Sequence, residues 1–171
     1  MNRKRNGLRI LAIDLRIQEL GYAVFEGPKQ LLDWGGMTYR SVDVAGRRLA
    51  DLLTLCHPSA LIVRKDRRTG VRNTPAVAAI VKSIKHEAAG RSIPIIVLTP
   101  EAIREAFSIF SVKNKDELAS MLATEFPELL WKLPPKRKRW QHEHHRMMVF
   151  DAIALGFAYY RQNGTEAPPP E

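Results

Sequence analysis

The sequence is poor in cysteine and has no long apolar run. Its 171 residues include a single cysteine, Cys56, which excludes an intramolecular disulfide framework and a cysteine-rich zinc site. No apolar stretch approaches the roughly 18–20 residues that span a bilayer, so we expect no membrane partner. Residues 1–5 include three basic residues, as the start of a signal peptide does, but the segment that follows them is strand-like and is not a signal-peptide core. We therefore predict one cytoplasmic domain over residues 1–163, with 164–171 as a flexible tail.

Acidic residues are outnumbered, with 18 Asp and Glu against 27 Lys and Arg, and the formal net charge is +9. Hydrophobic residues make up 45% and charged residues 26% of the chain, which excludes general disorder. The basic excess is concentrated in three windows, residues 1–9, 64–72 and 136–146. Neutralising phosphates releases counterions, so these windows favour nucleic acid, although each one alone could be a solvated loop.

Trp140 follows a run of four basic residues directly. Basic residues beside an aromatic suit a nucleic-acid strand, because base stacking and phosphate contacts act together. Packing of Trp140 beneath the last helix is an equally open alternative. The predicted nucleic-acid-binding residues are Arg64, Lys65, Arg67, Arg68, Lys136, Arg137, Lys138, Arg139 and Trp140.

The first part of the chain predicts an antiparallel meander. Short apolar segments over 7–15, 22–25 and 31–39 are joined by loops too short for crossover helices. Gly35 and Gly36 indicate a bulge or a close backbone approach in the third strand.

The remainder of the chain alternates between helical and strand patterns. We predict helices ending at 56, opening at 74, covering 99–107, opening at 114 and covering about 142–161, with strands over 60–63 and 93–98. A right-handed crossover makes the fourth and fifth strands parallel to the first. The predicted fold is α/β, with a mixed five-stranded sheet and helices on both faces.

Two acidic residues stand in apolar surroundings. Asp14 comes near the end of the first strand, and Asp151 lies within the apolar segment 147–156. A buried carboxylate is costly unless it is paired, hydrogen-bonded or bound to a metal. Asp14 could instead face solvent at the strand end, and Asp151 could lie on a narrow polar stripe.

The segments around these acids resemble the RuvC-type Holliday junction resolvases. ILAID at 10–14 followed by LGYAV at 20–24 is similar to the family's first two strands, and FDAIALG at 150–156 is similar to its last helix. PSALIV at 58–63 looks like the intervening strand. The resemblance implies a ribonuclease H-like fold, hydrolysis of branched or structured DNA, and a homodimer.

The resemblance also implies two divalent ions, Mg²⁺ or Mn²⁺, held by carboxylates. Asp14 would bridge the two ions and Asp151 would bind one of them. Where the family has a glutamate at the end of the fourth strand, this sequence has Arg64. Asp66, two residues further on, is the candidate replacement. Met148 stands where the family commonly has an acid or a histidine.

Residues 142–145, His-Glu-His-His, supply further candidates. If they open the last helix, His144 lies two turns before Asp151 on the same face, with Glu143 one position further round. We take Glu143 as a candidate metal ligand and His144 as a candidate catalytic residue. Two alternatives remain for residues 142–145: they form a polar helix start near the basic loop, or they bind a transition metal.

Two functions remain open at this point. The first is a metal-dependent endodeoxyribonuclease with Asp14, Asp151, Asp66 and His144 as catalytic residues, which the acid in a buried strand favours. The second is a degraded ribonuclease H-like module that binds nucleic acid or a protein partner without cleavage, which Arg64 favours. The sequence contains no phosphate-binding glycine loop, serine-hydrolase elbow or HExxH motif.

Overall fold

A computed structural model of the protein describes residues 8–65, 74–136, 138 and 140–164. Three strands come first in the chain, and strands and helices follow in mixed order. The strands are β1 (Arg9–Leu15), β2 (Glu19–Glu26), β3 (Leu31–Thr38), β4 (Ala60–Arg64) and β5 (Ile95–Leu98). The helices are α1 (Val42–Cys56), α2 (Pro75–Gly90), α3 (Pro100–Phe107), α4 (Lys115–Glu125) and α5 (Met147–Asn163). The predicted site residues Asp66, Arg67, Arg68, Arg137 and Arg139, and the predicted tail after residue 164, lie outside the described residues.

The strands form one mixed sheet in the order β3-β2-β1-β4-β5. β1 pairs antiparallel with β2 and parallel with β4, and β4 pairs parallel with β5. The predicted sheet is therefore confirmed. Since the parallel strands β1 and β4 end at the same edge, Asp14 and Arg64 are brought to one edge of the sheet.

Helices cover both faces of the sheet, as predicted. One face packs against α1 and α2, and the other against α3, α4 and α5. α5 is buried continuously from Met147 to Tyr160, which explains its nearly uninterrupted apolar sequence. Because α5 packs directly against β1 and β2, its first turns lie beside the end of β1. This packing places Asp151 close to Asp14.

The helix starts follow the capping signals in the sequence. The side chains of Thr74, Thr99 and Asn114 each accept a hydrogen bond from the backbone N–H three residues later, as expected for N-cap residues. His57 adopts a left-handed conformation with a φ of 45° and ends α1. Within the described residues, no helix has both the length and the hydropathy needed to cross a bilayer.

The predicted start of the last helix is wrong. α5 begins at Met147 rather than near 142, so His142 to His145 lie in the preceding loop. These polar side chains offer no apolar face to the sheet, and the helix begins where the apolar run begins. The two-turn spacing between His144 and Asp151 therefore does not describe their geometry.

Close backbone approach explains the glycines beneath α5. A Cβ atom at Gly21 would overlap the Met148 carbonyl group, and one at Gly36 would lie 2.8 Å from the Met148 methyl carbon. The close approach predicted for the third strand is thus present. The register irregularity also lies in β3, where Leu32 is skipped opposite Val24 and Phe25, and not at the glycines. The absence of a side chain at Gly21 lets α5 pack closely against the sheet. Gly21 is paired with Asp14 in the β1–β2 ladder, so this close packing occurs beside Asp14.

Candidate carboxylate site

Two buried acids meet at the carboxyl edge of the parallel strands. Asp14 lies at the end of β1 and is 3% exposed, and Asp151 lies in the second turn of α5 and is 1% exposed. They are the only buried charged residues among those that the structure describes. The solvent-facing alternatives that the sequence left open for both acids are therefore wrong, and each acid needs a compensating partner.

Arg16 supplies that partner. Its Nε donates to Asp14 Oδ2 at 2.9 Å, its Nη1 donates to Glu143 Oε1 at 2.6 Å, and its Nη2 donates to Asp151 Oδ2. The side chain of Arg16 is 14% exposed. One guanidinium group therefore joins carboxylates from β1, α5 and the loop before α5.

Lys115 provides a second cation. Its ammonium Nζ lies 2.7 Å from Glu143 Oε2 and 2.9 Å from Asp151 Oδ2. Lys115 is the first residue of α4, directly after the N-cap Asn114, so the capping interaction positions it. With 34% of its side chain exposed, Lys115 closes the cluster on the solvent side.

Burial and neighbouring charges shift the pKa values of the Asp151 and Glu143 carboxyl groups. Burial raises the pKa of Asp151 and the charge of Asp14 raises it further, against the opposing charges of Lys115, Arg16 and Arg64. Burial alone would also raise the pKa of Glu143, but the hydrogen bond and charge of Lys115, together with Arg16, bring it below its usual value. Glu143 is therefore held ionised.

Arg16 itself remains charged despite its burial. Desolvation lowers the pKa of its guanidinium, but the charges of Asp151, Asp14 and Glu143 outweigh that effect and raise it above its usual value. Since arginine stays protonated in proteins even without such help, the cluster is an ion-pair network.

The residues do not fit the pair of divalent ions that the fold family implies. Within the described parts of the chain, no group of three His, Cys, Asp or Glu side chains is arranged to hold a metal ion. The oxygens of Asp14, Glu143 and Asp151 instead face Arg16 and Lys115, and Arg64 stands at the end of β4. Arg16 and Lys115 pair with the three carboxylates, and the nearby charge of Arg64 completes the balance, which leaves no net negative charge to attract a dication.

Among the sequence candidates, Asp14, Asp151 and Glu143 come together and His144 does not join them. The His144 ring stacks on His145 with centroids 4.3 Å apart, and its Nδ1 accepts a hydrogen bond from the backbone N–H of Arg146. Slight burial and the charges of His145 and Arg146 lower the pKa of His144. A catalytic role for His144 stays a prediction, as does one for Asp66.

The sequence reasoning missed Arg16 and Lys115. Arg16 follows Asp14 by two residues and comes directly after β1 ends at Leu15, so an extended continuation of the strand would place both side chains on the same face. That spacing was a usable signal. Lys115 carries no such signal, because only the packing of α4 against α5 brings it to Asp151.

The predicted nucleic-acid contacts that the structure describes are on the surface or at the pocket beside this cluster. Arg64 and Lys65 line a pocket of about 240 Å³, together with Asp14 and Lys85, between the sheet edge and α2. Lys136 and Lys138 are exposed.

Trp140 is also exposed, and the alternative that it packs beneath the last helix is wrong. Its side chain is 78% exposed, and Lys138 Nζ lies 5.5 Å from its ring centroid. The role of Trp140 in nucleic-acid binding stays a prediction.

The sheet order and the helices on both faces match the fold of solved RuvC-type Holliday junction resolvases. Thermus thermophilus RuvC has this fold, with a TM-score of 0.68 and 17% identity over 95% of this chain and 100% of that one. The yeast mitochondrial Holliday junction resolvase Ydc2 gives a TM-score of 0.64 and 15% identity over 91% of this chain and 79% of that one.

A viral resolvase also has a similar fold. The fowlpox virus resolvase in complex with Holliday junction DNA gives a TM-score of 0.60 and 17% identity over 90% of this chain and 99% of that one. No protein-family model and no curated protein sequence matches the chain. At these identities the likeness establishes the fold.

Proposed function

We propose that this protein binds branched or structured DNA and does not cleave it with divalent metal ions. The observation that carries the proposal is the position of Arg16, which donates to all three converging carboxylates. A site whose acids are already paired with a guanidinium lacks the free carboxylate oxygens that two-metal hydrolysis requires.

Charge and surface chemistry support the binding half of the proposal. Arg64, Lys65 and Lys85 surround one pocket beside the carboxylate cluster, and the chain carries a net charge of +9. Trp140 adds an exposed ring that can stack on an unpaired base. DNA is favoured over RNA because similar structures were solved with Holliday junction substrates. A homodimer, which the sequence resemblance implies, is part of the proposal.

The second candidate is a metal-dependent endonuclease that uses Asp14, Glu143 and Asp151. The observation that favours it is the convergence of three acids from separate segments at one sheet edge. In this alternative Arg16 would swing out when substrate and Mg²⁺ or Mn²⁺ bind.

A binding and cleavage assay separates the two candidates. The wild-type protein is mixed with a four-way junction, a duplex of the same sequence and single-stranded DNA, in EDTA, Mg²⁺ or Mn²⁺. We expect salt-sensitive binding that is tightest for the junction, with no cleavage in any condition. Cleavage that Asp14→Asn abolishes would establish the endonuclease instead, and absence of binding at low salt would overturn the nucleic-acid proposal.

Trp140 offers a sharper test of the binding surface. If its ring stacks on a base, Trp140→Ala costs about 1–3 kcal/mol of binding free energy, measured by fluorescence anisotropy with the junction. The matched control is Trp131→Ala, since Trp131 is 70% exposed with Lys132 over its ring but lies outside the three basic windows. Equal losses from the two variants would contradict a specific role for Trp140.

A further inference from the structure

The contacts of Arg16 point to a role beyond charge compensation. We propose that Arg16 is a built-in cation that keeps divalent ions out of the carboxylate cluster, so that removing it opens a divalent-cation site. The inference deepens the proposed function and rests on the same closed cluster, but its test needs no DNA.

Arg16 makes more of the contacts in the cluster than Lys115 does. Each of the three guanidinium nitrogens of Arg16 donates to a different carboxylate, whereas Lys115 reaches only Glu143 and Asp151. Arg16 is also the less exposed of the two cations, at 14% against 34%. Arg16 is therefore the cation at the centre of the cluster, and Lys115 lies at its rim.

A free divalent ion would have to compete with Arg16 for the same carboxylates. Arg16 is tethered two residues from Asp14, so its guanidinium is present at the cluster at a high effective concentration. It cannot lose its charge by deprotonation. A free divalent ion would have to displace it and leave a buried arginine without partners, which is strongly unfavourable.

Without Arg16, the three carboxylates would remain and Lys115 would pair with only two of them. The oxygens of Asp14, Glu143 and Asp151 that contact the guanidinium would lose that partner, and hard oxygen ligands are those that Mg²⁺ and Mn²⁺ prefer. Since the three carboxylates are not arranged to hold a metal ion as they stand, they would have to draw together around the ion. Asp14 and Asp151 are held by a strand and a helix, while Glu143 lies in the loop before α5. Glu143 is thus the ligand free to adjust its distance to a smaller cation.

Mn²⁺ binding to Arg16→Gln tests the inference directly. Titration calorimetry and thermal unfolding are measured without DNA, in EDTA and in Mn²⁺. We expect no binding and no change in Tm for the wild type, and a Tm rise of about 5–10 °C for Arg16→Gln at Mn²⁺ roughly 100-fold above Kd. Adding Asp14→Asn to Arg16→Gln should abolish the rise.

Two controls make the result specific to Arg16. Arg9→Gln removes an arginine from the other end of β1, where Arg9 pairs with Glu26 at 2.7 Å, and should gain no Mn²⁺ binding. Arg16→Lys keeps a cation in the cluster and should also stay without Mn²⁺. Binding by either control as strong as by Arg16→Gln would overturn the inference.

The remaining outcomes also decide the question. A wild type that binds Mn²⁺, or a folded Arg16→Gln that does not, contradicts the inference. If Arg16→Gln is unfolded in EDTA, recovery of its native circular dichroism in Mn²⁺ supports the inference and continued unfolding contradicts it. If the wild type fails to bind DNA, the proposed function is contradicted but the inference about Arg16 is not, because the Mn²⁺ measurements are made without DNA.

Discussion

The two ends of α5 bury polar groups in opposite ways. Near its N-terminus, Asp151 is held by the charges of Arg16 and Lys115. Near its C-terminus, the Tyr160 hydroxyl donates to the Leu8 carbonyl and accepts from the Gly27 N–H at 3.0 Å. The first end depends on charged partners from distant segments, whereas the second is satisfied by neutral hydrogen bonds to backbone.

This difference predicts unequal sensitivity to mutation. Removing one partner of a buried ion pair leaves an uncompensated charge in a poorly solvated place. Removing a neutral hydrogen-bond partner leaves only the desolvation of a dipole. Substitutions at the N-terminal, carboxylate end of α5 should therefore lower the free energy of unfolding more than substitutions at its C-terminal end.

The largest effect is expected from Arg16→Met. Because the variant leaves Asp14 and Asp151 buried with Lys115 alone, we expect a loss of about 3–5 kcal/mol in the free energy of unfolding, measured by urea denaturation. The matched control is Arg9→Met, which breaks a more exposed pair with Glu26 and should cost about 1 kcal/mol or less. Equal losses would mean that burial does not set the cost of these pairs.

Tyr160→Phe should have an intermediate effect. The substitution keeps the ring and its packing against Phe25 but leaves the Leu8 carbonyl and the Gly27 N–H without their hydroxyl partner. We expect a loss of about 1–3 kcal/mol, measured in the same urea experiments. A loss as large as that of Arg16→Met would remove the contrast between the two ends of α5.

The free energy of unfolding should depend on pH through the buried hydroxyl of Tyr160. Burial raises the pKa of Tyr160 to about 12 in the folded state, above about 10 for an unfolded tyrosine. Its contribution is fully present below pH 10 and is lost as the pH rises towards 12, because the unfolded state then releases the proton more readily. The wild type should lose stability more steeply than Tyr160→Phe between pH 10 and 12; parallel profiles would contradict this assignment.

The smallest effect is expected from Lys115→Met. Arg16 still compensates Asp151 and Glu143 in this variant, and the partial exposure of Lys115 weakens its ion pairs. We expect a loss of about 1 kcal/mol, again by urea denaturation. A loss equal to that of Arg16→Met would show that the two cations contribute jointly rather than as centre and rim.

Much of the fold could be predicted from local sequence patterns. The apolar segment before Asp14 predicted β1, and the Thr-Pro pairs at 74–75 and 99–100 predicted the starts of α2 and α3. The start of α5 could not be predicted as well, because a polar stretch can extend a helix or precede it. Only the surface available on the sheet decides where α5 begins.

The candidate site was predictable in part. Asp14 and Asp151 were identified because carboxylates in apolar segments require a partner. Glu143 was identified for the wrong reason, since it reaches the cluster from a loop and not along a helix face. The partner itself was missed, because a strand-end arginine beside an acid is equally consistent with solvent exposure.

By itself, the sequence determined the strands and most of the helices, singled out two acids in apolar segments, and showed where positive charge accumulates. These properties follow from local apolar patterning and from composition. Only the tertiary structure decided that Arg16 and Glu143, 127 residues apart in the chain, form a contact at Asp151. Ion pairing depends on distances of a few ångströms, and those distances are set by how α5 and α4 pack across the sheet edge.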